Sequence, residues 1–168
     1  MIYRAHQALY KGVFIMIEPG HEPYDELCFS VYTTNRYFHH LCNLILQDYN
    51  LTYLQYMVLL VVKTKKQTTL TAICSKLDLA NNTITPVVQK LVTKKWLTKK
   101  KAAGDSRFLE ISLHAASLKS LAEIREKIGY VQYRFSQVAE QPIEELIEQY
   151  TTLNTSLIKL NQNLADDF

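Results

Sequence analysis

Apolar residues recur along most of this chain at helical spacing. From Asp25 to about Asp48, Leu27, Val31, Phe38, Leu41, Leu44 and Ile45 predict one long amphipathic helix. Thr52-Tyr53-Leu54-Gln55 is a capping-box spelling, so a second helix opens there. Its body, Tyr56 to Val62, is apolar all round and suits a buried strand as well as a buried helix; the cap decides for helix. Lys63 to Gln67 is a polar break, after which Leu70, Ile73, Cys74 and Leu77 mark a two-turn helix. Asp78 to Asn82 reads as a turn, with Asn82 or Asn81 capping a further helix from Thr83 to about Lys94. Pro86 falls early in that helix, where it costs only one hydrogen bond. Leu97 to Lys101 and Phe108 to Leu113 alternate as two strands joined by Ala102–Arg107.

Helical spacing returns with Leu118, Leu121, Ile124, Ile128, Val131 and Phe135. Pro142 then starts a last helix, in which Ile143, Leu146, Tyr150, Leu153, Leu157, Leu160 and Leu164 alternate three and four apart. That seam predicts packing against long partner helices, because a small lobe cannot cover it alone. The other reading is a core helix of the same subunit. The expected class is mainly α with a small β-wing. It is a winged helix-turn-helix at 52–113, flanked by dimerisation helices at 26–51 and 114–168 and preceded by an N-terminal extension at 1–25.

Charge sharpens this picture. Between Thr52 and Leu113 there are eleven Lys/Arg against three Asp/Glu, a local +8 hidden within a formal net charge of +3. Such a local excess is what phosphate binding needs. Asn81, Asn82, Thr83, Thr85 and Gln89 are the short polar side chains expected to reach base edges, amides suiting adenine and Thr suiting phosphate or a thymine methyl. Lys90, Lys94, Lys95, Lys99, Lys100 and Lys101 are expected to position the duplex through its phosphates. Asn82 and Thr83 also read as simple helix caps, and a lysine run as a solvated face. A two-fold dimer would set two such helices about 34 Å apart on a pseudo-palindromic double-stranded site.

Three unevenly spaced cysteines form neither a disulfide framework nor a metal pair, and they suit a reducing cytoplasm. If Asp25 caps the first helix, Cys28 sits in the first turn, where free N–H groups favour a thiolate while Asp25 and Glu26 oppose it. Tyr32, one turn on, is placed to hydrogen-bond that sulfur. The residues alone leave Cys28 between a reactive thiol and inert packing; Cys74, on an apolar face, reads as core. No apolar run reaches membrane-spanning length, and the start is too short in apolar residues for a signal peptide. Met16 is a candidate alternative start. The chain carries no Gly-rich phosphate loop, G-x-S-x-G or H-E-x-x-H, so it reads as a non-enzyme with no cofactor or metal.

Three segments taken in order resemble the MarR family of winged-helix transcription regulators: Leu51-Thr52-Tyr53-Leu54-Gln55-Tyr56, Asn82-Thr83-Ile84-Thr85-Pro86, and Asp105-Ser106-Arg107. Leu54 stands where that family has Pro, Trp96 where it has Gly, and His114 and Ser117 where it has Thr and Gly. Leu27-Cys28-Phe29 with Tyr32 and Tyr53 is similar to the organic-hydroperoxide-resistance branch. The resemblance implies a dimeric repressor whose Cys28 is oxidised by organic peroxides. It implies a minor-groove role for Arg107 oriented by Asp105, for which a surface ion pair is the plainer reading. Cys42 stands where that branch has a tyrosine facing the partner's reactive thiol, which implies a Cys28–Cys42 disulfide between subunits. A MarR-type repressor released by a small phenolic or aromatic ligand is the alternative. A metal sensor using His39, His40, Cys42 and Glu26 is a more distant one.

Overall fold

The computed structural model describes residues 6–10, 13–17, 23–101 and 109–165. The chain divides into two compact units, Met1–Tyr56 and Met57–Phe168.

In the first unit, β1 (His6–Tyr10) and β2 (Val13–Ile17) pair antiparallel, with Tyr10 opposite Val13. This hairpin lies in the segment expected only as an extension. Helix α1 spans Pro23–Leu46. Proline suits a first helical position because its φ is preset and its missing N–H would have no partner there. Asp25 and Glu26 lie in the first turn, where carboxylates oppose the positive end of the helix dipole. Asp25 is therefore not the cap that the sequence suggests, and Cys28 moves into the second turn, beyond the free N–H groups. A short 3-10 turn, Gln47–Tyr49, closes on Asn50 at φ 51°, a left-handed conformation that asparagine tolerates. The capping box then forms as read: the Thr52 N–H donates to Gln55 Oε1 at 3.1 Å and the Gln55 N–H to Thr52 Oγ1 at 3.2 Å. It opens α2, Tyr53–Lys65.

In the second unit β3 (Gln67–Thr68), α3 (Leu70–Leu77), α4 (Asn81–Thr93), β4 (Leu97–Lys101) and β5 (Leu109–Leu113) follow in sequence. The three strands form an antiparallel sheet ordered β3-β5-β4, which leaves β4 on an edge. Two-residue β3, which begins at the last residue of the expected polar break, has no periodicity to announce it. Thr69 caps α3, its Oγ1 accepting the Ala72 N–H at 3.2 Å. Helix α4 starts earlier than expected, with Ala80 in the cap position and no side-chain cap. The Ala80 carbonyl already accepts the Thr83 and Ile84 N–H groups at 3.0 and 3.2 Å, so both asparagines fall inside the first turn. Pro86 is then the sixth residue, and the one helical bond it forgoes is to the Asn82 carbonyl.

Helix α4 ends in a Schellman turn. The Lys95 N–H donates to the Val92 carbonyl at 3.0 Å and the Trp96 N–H to the Leu91 carbonyl at 2.9 Å. Lys95 occupies the left-handed position usual for glycine, at φ 58°. A Cβ there costs about 1–2 kcal/mol, so Lys95→Gly is expected to raise the thermal midpoint by an equivalent of about 1 kcal/mol. Thermal denaturation followed by circular dichroism checks this, and an unchanged midpoint would show that the turn carries no strain.

Val58, Leu59, Val62, Ile73, Ile84, Val88, Leu91, Leu97 and Ile111 are fully buried and form the core of the winged-helix lobe. Helix α5 (Leu118–Ser136) buries Leu121 and Ile124, and α6 (Ile143–Ala165) follows. None of the seven seam residues of α6 is buried, Tyr150 and Leu160 being 40% and 43% exposed. The seam therefore remains open to a further partner. On α1, Leu27, Val31, Phe38, Leu41 and Leu44 are exposed as well.

Candidate nucleic-acid interface and thiol site

Helix α4 turns Ile84, Val88 and Leu91 inward. At 100° per residue, the opposite face carries Asn82, Pro86, Gln89 and Thr93, all exposed. Local hydrogen bonds decide which of the expected base readers are free. The Cys74 thiol donates to Asn81 Oδ1 at 3.1 Å, tying that amide back to α3. Thr85 Oγ1 donates to the Asn81 carbonyl at 2.7 Å and Thr93 Oγ1 to the Gln89 carbonyl at 3.1 Å. Thr83 Oγ1 donates to Asn82 Oδ1 at 3.4 Å, a long bond that leaves the Asn82 amide nitrogen available. Asn82 and Gln89 thus present amides outward, while Asn81 fastens the turn between the two helices. Cys74, buried as expected, is its anchor.

Lys90 on the same helix, Lys94 and Lys95 in the turn that ends it, and Lys100 and Lys101 on β4 are exposed, and Lys99 is half-buried. Lys99 pairs with Ile111 and Lys101 with Leu109, while Lys100 lies opposite Glu110. Directly paired residues share a face of the sheet, so Lys99 and Lys101 point one way and Lys100 the other, beside a carboxylate. Lys66, at φ 61°, joins Lys95 in the left-handed region. Two cations thus stand where glycine would be less costly. No motif or spacing in the sequence singles out Lys66. Asp105 and Arg107 lie outside the described residues.

The thiol site is built on α1. Cys28, Tyr32, Asn35, His39 and Cys42 follow at spacings of four, three, four and three, one stripe of the helix. Cys28 is exposed and Cys42 is half-buried. Their fourteen-residue separation spans roughly 21 Å along the helix, so they cannot pair within one chain. Tyr32, expected to bond the thiol, is 67% exposed. His39 lies against Tyr53, ring centroids 4.2 Å apart and tilted by 49°. This contact makes His39 part of the cluster, a role that the stripe spacing signals but the sequence reading assigned elsewhere. Among the described residues no three His, Cys, Asp or Glu side chains form a group able to hold a metal.

Burial raises the pKa of Cys42, and burial followed by the nearby Cys42 charge raises that of Tyr53. Both are acids that are neutral when protonated. Their favourable contribution is therefore complete below the ordinary values of 9.0 and 10.0 and is lost as pH climbs through the higher folded values. Thermal stability is expected to stay level through neutral pH and fall above pH 9.0, less steeply in Cys42→Ser. A melting series across alkaline pH reads this directly, and identical slopes for the two proteins would contradict it.

The described segment from the end of α1 into α5 coincides with a match to the family "Transcriptional regulator SarA/Rot", over residues 40–124. The chain belongs to the SarA/Rot family of transcriptional regulators. Its fold is the MarR-like winged helix that the sequence resemblance indicated. The HTH-type transcriptional regulator SarZ of Staphylococcus aureus is 31% identical over 106 residues, covering 61% of this chain and 72% of SarZ. A structure of reduced AbfR bound to DNA is 28% identical, with a TM-score of 0.69, and the match covers 82% of this chain and 94% of that one. AbfR from Staphylococcus epidermidis has also been solved separately, at 27% identity and a TM-score of 0.69, with the same coverage. A mutant MarR from E. coli complexed with operator DNA shares the fold at a TM-score of 0.68 and 17% identity, covering 80% of this chain and 96% of that one. In this SarA/Rot chain no described helix is long and apolar enough to cross a membrane.

Proposed function

We propose that this regulator is a homodimeric, cytoplasmic repressor that grips a pseudo-palindromic double-stranded operator and lets go when an organic hydroperoxide oxidises Cys28. The observation that carries the reading is the exposed Asn82–Gln89 stripe of α4 in a segment holding eleven Lys/Arg against three Asp/Glu. Amides read adenine edges and lysines bind phosphates. The open apolar faces of α1 and α6 are what a second copy would cover. In the first step the Cys28 thiolate attacks one peroxide oxygen, breaking the O–O bond to give a sulfenic acid and an alcohol. Cys42 of the partner subunit then attacks that sulfur, expelling water and closing a disulfide.

AbfR has been solved reduced on DNA, overoxidized on DNA and in a disulfide-formed state. Since the overoxidized relative still sits on DNA, the disulfide is the better-supported releasing event here. Cysteine is shorter than the tyrosine it replaces, so closing the bond draws the subunits together and changes the spacing of the reading helices. The groove between α5 and α6, about 490 Å³ and lined by Gly129, Gln132, Tyr133, Ser136, Pro142, Ile143 and Glu144, is wide open to solvent and mixes polar with apolar groups, so it encloses little of a small ligand. It does not favour the phenolic-ligand alternative.

Electrophoretic retardation of a selected operator with and without cumene hydroperoxide tests the proposal. Wild type should release DNA and run as a cross-linked dimer on a non-reducing gel. Cys28→Ser should do neither, and Cys42→Ser should stay uncross-linked and bound. Release by Cys28→Ser would place the sensor elsewhere, and release without a cross-link would remove Cys42 from the mechanism.

A further inference from the structure

We infer that Pro86 reads a thymine methyl in the operator, flanked by two adenines taken by Asn82 and Gln89. The inference rests on the DNA-binding reading above and deepens it to a base pattern. Pro86 lies between Asn82 and Gln89 on the stripe of α4 that faces away from Ile84, Val88 and Leu91, and it is exposed. It is the apolar member of an otherwise polar stripe of Asn82, Gln89 and Thr93. Proline at the sixth helical position gives up a helical bond to the Asn82 carbonyl, and helix propensity disfavours it there. The ring is exposed, on the side of the helix away from its buried residues, so burial of the ring does little to offset that cost.

The neighbours narrow what the stripe can read. Asn81 is committed to Cys74 and the Thr85 hydroxyl to the Asn81 carbonyl. The side-chain amide of Gln89 bonds to nothing among the described residues. An amide pairs bidentately with the N6/N7 edge of adenine, and an apolar group packs on the 5-methyl of thymine. Asn82 and Gln89 are seven residues apart, about 10.5 Å along the axis. For a helix lying along the groove this is about three base-pair steps. The operator half-site should then show two A·T positions about three steps apart with a thymine between them.

The full-length protein, reduced, is used to select duplexes from a random-sequence library. The selected duplex is then remade with deoxyuridine in place of the central thymines, which removes the methyl groups and leaves every hydrogen bond intact. Wild type is expected to lose about fourfold in affinity per methyl, the equivalent of one buried methylene. Pro86→Ser, with its helicity verified by circular dichroism, should bind both duplexes equally. Asn82→Ala and Gln89→Ala should each relax selection at one adenine position and not weaken all duplexes alike. Equal wild-type affinity for the thymine and uracil duplexes overturns this inference and leaves DNA binding standing. No retardation of any duplex at low salt overturns both.

Discussion

Raising salt from about 50 to about 200 mM is expected to weaken operator binding by about a thousand- to a hundred-thousand-fold, the range for six to ten neutralised phosphates. The expectation follows from where the charge sits. The lobe from Thr52 to Leu113 holds eleven of the nineteen Lys/Arg residues, and the two flanking segments are acidic. Lys90, Lys94, Lys95, Lys100 and Lys101, on α4, its closing turn and β4, are exposed. Three to five phosphate contacts from each of two protomers would account for that slope. Acidic flanks add no counterion release of their own and discourage binding through any other face. Fluorescence anisotropy of a labelled operator across a salt series gives the slope. A nearly flat dependence would mean that these lysines are a solvated surface and nothing more.

Trp96→Ala is expected to cost about 3–5 kcal/mol of folding stability, the usual range for emptying a large aromatic site. That is a large share of the roughly 5–15 kcal/mol that holds a domain together. Trp96 is 8% exposed and its backbone closes the turn that ends α4. Its carbonyl accepts the His114 N–H at 3.0 Å and Ser117 Oγ at 3.0 Å, and Ser117 is itself buried. One residue thus ties the end of α4 to the start of β4 and to the turn that leads into α5. Alanine keeps the carbonyl but leaves a void beneath the turn. Urea denaturation followed by circular dichroism measures the loss, and a change under about 1 kcal/mol would show that the indole fills no packed site.

Much of this architecture is legible in the chain because its signals are local. Thr52 and Gln55 spell a cap that forms as read, and the apolar spacing of Leu70–Leu77 and Leu118–Phe135 marks two helices. Leu97–Lys101 alternates as a strand should and is one. What was not legible depends on partners distant in sequence or on competition for a single group. Strand β3 exists because Ser112 and Ile111 pair with Gln67 and Thr68. Asn81 and Asn82 look like caps, yet Ala80 takes that place because its carbonyl gathers two N–H groups and the Asn81 amide is drawn to Cys74. Asp25 looks like a cap for the same compositional reason and lies inside the first turn, after Pro23 has already fixed the helix start. At the candidate site, residue types were readable but their availability was not: nothing in the spelling shows that the Thr85 hydroxyl is spent on its own helix. His39 was visible as a residue, but its contact with Tyr53 requires α1 and the start of α2 to be seen together.

The edge position of β4 gives its three lysines a second consequence. A bare strand edge is a template for pairing with another molecule, and closely spaced positive side chains discourage that by mutual repulsion. Lys99, Lys100 and Lys101 are therefore placed to discourage edge-to-edge pairing in the operator-free protein, apart from the phosphate contacts proposed for them. Neutralising all three with alanine to study DNA affinity would leave a strand prone to aggregation, so reversing the charges with glutamate is the cleaner experiment.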